Sequence, residues 1–311
     1  MDGWGVLAVL TFLASLGTVA GFLGRSWWVF DLASHFRPHY FAILSLCSLI
    51  STIAQRYDEA LISGALALAN AALILPLYLP PTRQPPGARG ALRLWMLNVN
   101  YRSRAYARAV QAARDADADV ILLIEVGRAW LEAFAPLREQ YPHGGALSAE
   151  EGVGIALLSR VPLQAAEVRA IGRAKLPTVI ARLTVNGCSL RLIGTHPLAP
   201  HGKRFTDLRN EQLQQLACLT SGPDGTPAAI LMGDLNTTSW SPAFRDLVAQ
   251  SGLRDSREGL GVQATWPSPF GRGGIPIDHY LVSPHLRVVR RVVGPDVGSD
   301  HLPVTLDVAW R

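Results

Sequence analysis

The sequence contains little lysine and little cysteine. Among its 311 residues, Lys175 and Lys203 are the only lysines, and arginine carries most of a formal net charge of +5. This modest excess suits an anionic substrate but excludes the dense basic stripe of a dedicated nucleic-acid-binding protein. The three cysteines, Cys47, Cys188 and Cys218, show no metal-ligand spacing and do not form a disulfide framework. We therefore expect three free thiols, all of them buried.

Charged residues are absent from three apolar runs near the N-terminus, at residues 4–23, 38–55 and 60–81. At about 1.5 Å per residue, about 20 helical residues cross a ~30 Å hydrocarbon core. The acidic Asp2 and the lack of a basic segment before the first run argue against a cleaved signal peptide. Buried core helices of a soluble protein are the other alternative. The pattern predicts three transmembrane helices in a membrane domain of residues 1–80.

A segment rich in Pro and Gly follows, and its composition at residues 81–91 is typical of a semi-extended linker. Beyond it, residues 92–311 mix buried-strand patterns with amphipathic helix patterns, without strict strand–helix alternation. The clearest strand patterns are 92–100 and 118–126, and the longest helix pattern is 203–219. This mixture predicts an α/β domain in which two sheets form a sandwich flanked by helices.

Acidic, amide and histidine side chains recur where the apolar strand patterns end. They are Asn98, Glu125, His196, Asp234, Asn236, Asp278, Asp300 and His301. Polar groups at strand ends converge when the strands share a sheet, and sites are built at such ends. A hard divalent cation such as Mg²⁺ takes oxygen ligands, which Glu125, Asn98 and Asp300 can supply. We therefore predict a metal site formed by these three residues.

The remaining side chains of this set have chemical roles in phosphoester hydrolysis. A histidine oriented by a carboxylate can act as a general base on water, which suits His301 with Asp278. Asp234 and Asn236 can hold the attacking water and a phosphoryl oxygen. His196 can stabilise the negative charge of the transition state. We predict these five residues to be catalytic.

The motifs LNVN, IEV, GTHP, GDLN, IDHYLV and GSDHLPV occur in this order between residues 92 and 309. Together they resemble the endonuclease/exonuclease/phosphatase superfamily, whose fold is that of deoxyribonucleases and neutral sphingomyelinases. The resemblance implies a four-layer α/β sandwich of two mixed sheets and hydrolysis of phosphoesters with Mg²⁺, or alternatively Mn²⁺. It implies the same metal and catalytic roles for the eight residues above.

The arrangement of apolar helices before a hydrolase domain resembles a bacterial teicoplanin-resistance group, whose expected substrate is a polyprenyl pyrophosphate. We therefore expect a multi-pass protein of the inner cell membrane that hydrolyses a lipid-linked phosphoester or pyrophosphate. A membrane-anchored metal-dependent nuclease acting on DNA or RNA is the alternative. Arginines near the linker side, Arg25 and Arg37 among them, place the hydrolase domain in the cytoplasm by the positive-inside rule. The resistance group argues for the opposite side.

Five further residues have weaker signals. Asn100 either contacts the metal or caps a loop, and the sequence does not decide between the two. His279 follows Asp278 in a strand and so points to the opposite face, where a core or surface position is expected. Arg209 and Gln212 share one face of the long helix pattern, which predicts a solvated face, although comparable residues recur in relatives. Trp266 is expected to be a packing residue.

Overall fold

The N-terminal part of the chain forms four helices, here called the helical bundle. In this computed structural model, which describes residues 2–79, 92–147, 149, 152–220 and 228–311, the helices are α1 (Gly3–Phe22), α2 (Trp28–Ser34), α3 (Arg37–Ile53) and α4 (Tyr57–Ile74). A 3₁₀ turn, Leu75–Leu77, continues α4. The predicted linker, residues 81–91, lies outside the described residues.

Two helices of the described chain are long and apolar enough to cross a membrane. They are α1 and the continuous segment Tyr57–Leu77. The prediction of three such helices is therefore wrong in number. The second apolar run folds into α3, whose 17 residues span only about 25 Å, and its first turn carries Arg37, Pro38 and His39. The second apolar run is thus shorter and more polar than the other two.

The outer surface of the helical bundle is apolar and its interior contains polar groups. Ile53, Leu61 and Leu68 are each more than 70% exposed. Inside the bundle, the buried Arg37 donates hydrogen bonds from Nη1 to the Thr18 carbonyl (2.9 Å) and to Asn70 Oδ1 (3.1 Å). Asn70 Nδ2 donates in turn to Thr18 Oγ1 at 2.9 Å. Polar contacts therefore join α1, α3 and α4 at one end of the bundle.

Two six-stranded sheets follow. The first contains, in spatial order, β11 (Leu286–Val293), β12 (Val304–Trp310), β1 (Leu92–Asn98), β2 (Val120–Ile124), β4 (Ile155–Ser159) and β3 (His143–Leu147). The second contains β5 (Leu163–Ile171), β6 (Leu176–Val185), β7 (Cys188–Thr195), β8 (Ala228–Asp234), β10 (Asp278–Val282) and β9 (Arg254–Asp255). The β1–β2 and β7–β8 pairs are parallel and the other pairs are antiparallel, so both sheets are mixed.

Four further helices cover the outer faces of the sheets. The inner faces pack together around a core that includes Leu94, Leu122, Leu192 and Ile230. The first sheet is covered by α5 (Tyr106–Ala116) and α6 (Arg128–Phe134), and the second by α7 (Lys203–Thr220) and α8 (Pro242–Ser251). The central strands are buried on both faces, which explains their continuous apolar runs. The prediction of two mixed sheets flanked by helices is confirmed.

The expected burial of all three thiols is confirmed for Cys47 and wrong for Cys188 and Cys218, which are exposed. Cys188 is the first residue of β7, directly after the turn at Asn186 and Gly187. It lies at the solvated end of a hairpin because β6 and β7 are joined by only two residues. Cys218 lies on α7, away from the residues with which that helix packs on the sheet.

The solvated helix face predicted at Arg209 and Gln212 is also wrong, because both side chains are fully buried. Gln212 lies over the second sheet, where Nε2 donates to Thr195 Oγ1 at 3.3 Å. Arg209 is covered by the helical bundle and forms an ion pair with Asp31 of α2. The apolar periodicity of α7 does not predict the burial of Arg209, because the face that carries this residue is covered by the helical bundle, which is distant in the sequence.

Candidate active site

The ends of β1 and β2 place an amide and a carboxylate side by side. Asn98 is the last residue of β1 and pairs with Ile124 of β2, so Glu125 follows at the same edge of the sheet. Asn98 Nδ2 donates to Glu125 Oε1 at 2.9 Å and, across to the second sheet, to Asp234 Oδ2 at 3.2 Å. Asn98 therefore connects carboxylates from both sheets.

The second sheet contributes two aspartates and a histidine at the same edge of the sandwich. Asp234 ends β8 and lies opposite Asp278, the first residue of β10. His196 directly follows β7, and its Nε2 lies 3.4 Å from Asp234 Oδ2 and 3.9 Å from Glu125 Oε1. Because β7 and β8 are parallel neighbours, their ends meet at this edge. The site thus lies where strand ends of both sheets converge.

The loop before β12 brings His301 into the same place. His301 Nδ1 lies 2.9 Å from Asp278 Oδ2, and its Nε2 lies 3.6 Å from Asp234 Oδ2. Ser299 fixes this loop, since its Oγ donates to the Asn98 carbonyl (2.6 Å) and accepts from the His301 backbone N–H (3.0 Å). The sequence predicted the Asp278–His301 pair as a catalytic unit. It did not assign a role to Ser299, although the residue stands beside Asp300 in the motif.

Asn236 lies in the loop between β8 and α8, residues 235–241, here called the β8–α8 loop. Its backbone is left-handed (φ 49°), a conformation that asparagine tolerates better than most residues. The backbone N–H donates to Asp234 Oδ1 at 2.9 Å. The side-chain Nδ2 donates to the Pro197 carbonyl (3.0 Å) and lies 3.2 Å from His196 Nε2. This turn directs the amide of Asn236 toward His196.

Asp300 and Asn100 lie at the rim of the site. Asp300 is half-buried, and its Oδ2 accepts a hydrogen bond from Trp266 Nε1 at 3.1 Å. The ring of Trp266 lies 6.5 Å from that of His301, so the packing role expected for Trp266 includes a polar contact with the site. The Asn100 backbone N–H donates to Asn98 Oδ1 at 3.0 Å. The metal-binding roles of Asp300 and Asn98 stay predictions.

The two histidines of the site carry raised pKa values. Burial opposes a charged imidazole at His301, but the adjacent Asp278 and Asp234 carboxylates outweigh it and raise the pKa to about 10. Burial also opposes the charged form of His196, whose pKa is raised by Asp234 and Glu125. Burial disfavours ionised Asp234 as well, yet the two histidines lower its pKa to about 2. The site therefore concentrates negative charge in a place with little access to water.

These side chains provide a donor set that suits a divalent cation. Ligand atoms of Asp234, Asp278 and His301 lie within 4.8 Å of one another. Glu125 adds a further carboxylate, since its Oε1 lies 3.9 Å from the same His196 that contacts Asp234. Carboxylate oxygens are the ligands that hard cations such as Mg²⁺ and Mn²⁺ prefer. The residues present thus fit a hard divalent metal ion, and they do not form a zinc-type histidine and cysteine site.

A second buried polar cluster lies beneath the β8–α8 loop. His279 is fully buried, as a core position requires, and its Nε2 lies 2.7 Å from the Thr237 carbonyl. Its Nδ1 lies 2.9 Å from Arg257 Nη2, and Arg257 pairs with Asp255. Asp255 Oδ2 accepts from Ser239 Oγ at 2.7 Å. From the side of the second sheet, this cluster therefore holds the β8–α8 loop, which carries Asn236.

Comparisons with known proteins agree with this geometry. A model of the Endonuclease/Exonuclease/phosphatase family matches residues 95–301. A similar solved structure is an endonuclease/exonuclease/phosphatase from Beutenbergia cavernae DSM 12333, with 20% identity over 72% of each chain and a TM-score of 0.57. The sequence matches none of the curated proteins with which it was compared.

Two further structures share the fold. The mannosyl-6-phosphatase of Bacteroides thetaiotaomicron VPI-5482 is 18% identical over 70% of this chain and 100% of its own, with a TM-score of 0.58. A humanized D. rerio TDP2 is 17% identical over 70% and 98% of the two chains, with a TM-score of 0.57. At such identities these structures establish the fold alone. The family model, however, spans well over half of the chain, and the protein belongs to the endonuclease/exonuclease/phosphatase family.

Proposed function

We propose that this protein is a membrane-anchored, divalent-metal-dependent phosphoester hydrolase that acts on a lipid-linked phosphoester or pyrophosphate. The observation that carries the hydrolase part is the convergence of Glu125, Asp234 and the Asp278–His301 pair in one buried site of a family member. A buried group of carboxylates and histidines of this kind serves phosphoryl chemistry better than it serves stability.

The roles of the site residues follow from their contacts. Glu125 is the proposed metal ligand, and Asn98 and Asp300 are predicted to bind the same ion. The alternative position for the ion is the cluster that contains Asp234 and Asp278. A bound Mg²⁺ or Mn²⁺ would stabilise negative charge on the phosphoryl oxygens and offset the carboxylate charge that raises the pKa of His301.

Proton transfer and phosphate binding fall to the remaining side chains. His301 is held through Nδ1 by Asp278, and in the neutral imidazole Nε2 is the atom that accepts a proton from the attacking water. Asn236 and His196 lie 3.2 Å apart and can donate to the same phosphoryl oxygen. Asp234 orients both histidines, since it lies within 3.6 Å of each.

The apolar outer surface of the helical bundle supports membrane anchoring. Many apolar side chains on α1, α3 and α4 are exposed, and this amount of apolar exposure would be costly in water. Trp27, Phe36 and Tyr78 are exposed near the end of the bundle that meets the sandwich, where an aromatic belt is expected.

The position of the site relative to the bundle supports a lipid-linked substrate. His39 in the first turn of α3 lies 2.7 Å, through Nε2, from the Gly273 carbonyl. The segment that ends at Gly273 begins at Ser268, whose N–H donates to the Asp300 carbonyl at 2.7 Å. The rim of the site therefore lies beside the end of the bundle. A phosphate presented at the bilayer surface would reach it at high effective concentration.

A nuclease remains the second candidate because of one feature beside the site. A cleft of about 710 Å³ adjoins Glu125 and is lined by two tyrosines and three arginines: Tyr101, Tyr106, Arg102, Arg104 and Arg128. Aromatic and arginine side chains together suit a nucleic-acid strand.

Substrate turnover separates the two candidates. The full-length protein in vesicles with Mg²⁺ should hydrolyse polyprenyl pyrophosphate or phospholipid, and EDTA or Glu125→Gln should abolish this turnover. Efficient cleavage of plasmid DNA by a protein that ignores both lipids would replace the lipid proposal with the nuclease. Full activity in excess EDTA would refute the metal requirement.

The exposed cysteines test the membrane side of the hydrolase domain. We propose a cytoplasmic position, from the arginines near the linker side. A membrane-impermeant maleimide should then label Cys188 and Cys218 only after spheroplasts are lysed, and a Cys188→Ser/Cys218→Ser variant should give no signal in either case. Labelling of these cysteines in intact spheroplasts would place the domain outside.

A further inference from the structure

The helical bundle contacts the β8–α8 loop directly, at three of its residues. Ser241 Oγ donates to Asp31 Oδ1 of α2 at 2.7 Å. Thr238 Oγ1 lies 3.0 Å from His35 Nδ1, just after α2. Trp240 Nε1 donates to the carbonyl of Leu73 on α4 at 3.2 Å. The loop that carries Asn236 is thus held between the bundle on one side and the Asp255–Arg257–His279 cluster on the other.

Arg209 connects the bundle to Asn236 itself. The guanidinium is completely buried and donates from Nη1 to the Asn236 carbonyl at 2.9 Å. Its Nη2 donates to Asp31 Oδ2, and Asp31 is only 3% exposed. A buried arginine depends on its carboxylate partner because neither charge is stabilised by water there. The orientation of Arg209, and with it the position of the Asn236 carbonyl, therefore depends on a residue of the bundle.

We infer that Asp31 is a positioning residue of the active site, acting through Arg209 and Ser241 to hold Asn236 in its left-handed turn. The bundle is then part of the hydrolase site as well as its anchor. This inference rests on the proposed hydrolase function of Asn236. It differs from a purely structural role, in which the Asp31–Arg209 pair would contribute only to the stability of the fold.

A second ion pair at the same interface provides a matched control. Arg25, which follows α1, makes a two-pronged salt bridge with Asp246 of α8 at 2.6 and 2.7 Å. Arg25 is 65% exposed in its side chain, and the pair has no hydrogen bond to the β8–α8 loop among the described residues. Arg25→Ala therefore weakens docking of the bundle without removing the connection to Asn236.

The test compares Asp31→Asn with Arg25→Ala in the full chain in detergent, using bis(p-nitrophenyl) phosphate with Mg²⁺. Asp31→Asn keeps the shape and removes the charge. It should lower kcat by about 10- to 100-fold, the usual effect of removing the support of a site residue, with KM nearly unchanged. Amide hydrogen exchange over residues 235–241 should accelerate in the same variant. Arg25→Ala should leave both quantities at their wild-type values.

An apolar replacement separates positioning from stability. The double variant Asp31→Leu/Arg209→Met removes both buried charges together, so its Tm should stay close to that of the wild type. Its kcat should nevertheless fall as in Asp31→Asn. The inference would be overturned if either Asp31 variant kept both the wild-type kcat and the wild-type rate of amide hydrogen exchange over residues 235–241. It would also be overturned if Arg25→Ala lost as much kcat as Asp31→Asn. If the wild type hydrolyses neither this probe nor the lipid substrates named above, the proposed function fails, and hydrogen exchange over 235–241 still decides on the inference.

Discussion

The helical bundle and the sandwich distribute polar and apolar side chains in opposite ways. In the bundle, Thr18, Arg37 and Asn70 are buried while Leu61 and Leu68 are exposed. In the sandwich, the space between the sheets is filled mainly by leucine, isoleucine and valine, and the carboxylates and histidines of the candidate site are buried together at one edge. Apolar contact does not hold helices together in lipid, so polar contacts between helices replace it. Under the proposed membrane anchoring, the two regions are built for different solvents.

The buried polar groups of the two regions also differ in what surrounds them. In the bundle, Thr18, Arg37 and Asn70 form hydrogen bonds with one another across α1, α3 and α4. In the sandwich, Asp234, Asp278 and His301 are grouped with ligand atoms within 4.8 Å of one another, which brings two negative charges together without water. A stabilising network would not require this repulsion. The comparison separates polar groups that join helices from the polar groups of the proposed active site.

The largest expected effect concerns His301 and Asp278, and it tests whether the buried polar groups of the sandwich are catalytic. His301→Ala should lower kcat by ~10²–10⁴, the usual range for a positioned acid–base group. Asp278→Asn should have a similar effect, and the double variant should be little worse than either single one, because the two residues act as a unit. Steady-state kinetics on bis(p-nitrophenyl) phosphate with Mg²⁺ measures all three.

The matched control for these variants is the substitution of a buried polar residue in the helical bundle. Asn70→Leu removes a polar side chain of comparable burial and should leave kcat within about twofold of the wild type, since its hydrogen bonds join it to Arg37, Thr18 and Leu66 of the bundle and not to residues of the site. Additive losses for His301 and Asp278 would show that they do not act together. A large loss of kcat in Asn70→Leu would break the comparison.

A smaller effect tests whether the outer surfaces of the bundle and of the sandwich face lipid or water. Leu68 of α4 is 71% exposed and Leu147 of β3 is 47% exposed. An arginine on a lipid-facing helix surface costs about 2.5–3.5 kcal/mol, whereas a water-facing surface substitution usually stays within about 0.5 kcal/mol. Leu68→Arg should therefore reduce the amount of protein retained in carbonate-washed membranes, and Leu147→Arg should not. Equal small effects would show that the outer surface of the bundle does not face lipid.

The smallest effect is a pH dependence of stability that arises in the sandwich. Burial and the neighbouring Arg257 lower the pKa of His279 to about 3, below the unfolded value of about 6.5. Between these values the unfolded chain binds the additional proton, so stability is fully present above pH 6.5 and is lost as the pH falls. The Tm of the sandwich should decrease from pH 7.5 to pH 5.

Replacing the imidazole checks the origin of this dependence. His279→Gln should be less stable than the wild type at pH 7.5, because the contacts to Thr237 and Arg257 change, but its Tm should depend less on pH. Burial also lowers the pKa of His35 to about 4, so part of the dependence should persist in this variant. An unchanged slope in His279→Gln would assign the whole effect to other groups.

Much of the fold could be predicted because its signals are local. The helix pattern at 203–219 corresponds to Lys203–Thr220, and the strand pattern at 118–126 contains Val120–Ile124. The alternation or continuity of apolar residues depends only on neighbours in the chain. Strand β5, Leu163–Ile171, was not predicted, because this edge strand is largely exposed and its sequence lacks a clean alternation of apolar and polar residues.

The candidate site was predictable for a related reason. Asn98, Glu125, His196, Asp234 and Asp278 each stand at one end of an apolar strand, and the carboxyl ends of parallel neighbours such as β1–β2 and β7–β8 share an edge. Sequence alone thus identified which side chains could meet. How these side chains are arranged could be seen only in the folded structure. Strand pairing places Asp278 opposite Asp234, and Ser299 Oγ accepts a hydrogen bond from the His301 backbone N–H.

Only the tertiary structure decided how the two regions are joined. The Pro-rich segment suggests a hydrolase on a loose tether, yet Asp31 and Arg209, which are 178 residues apart, form a buried pair beside Asn236. No local periodicity marks Asp31, because its partner is a charge on a distant helix and not an apolar face. Amino-acid patterns report which solvent a segment prefers, whereas a pairing of two charges depends on where separate elements come to rest against each other.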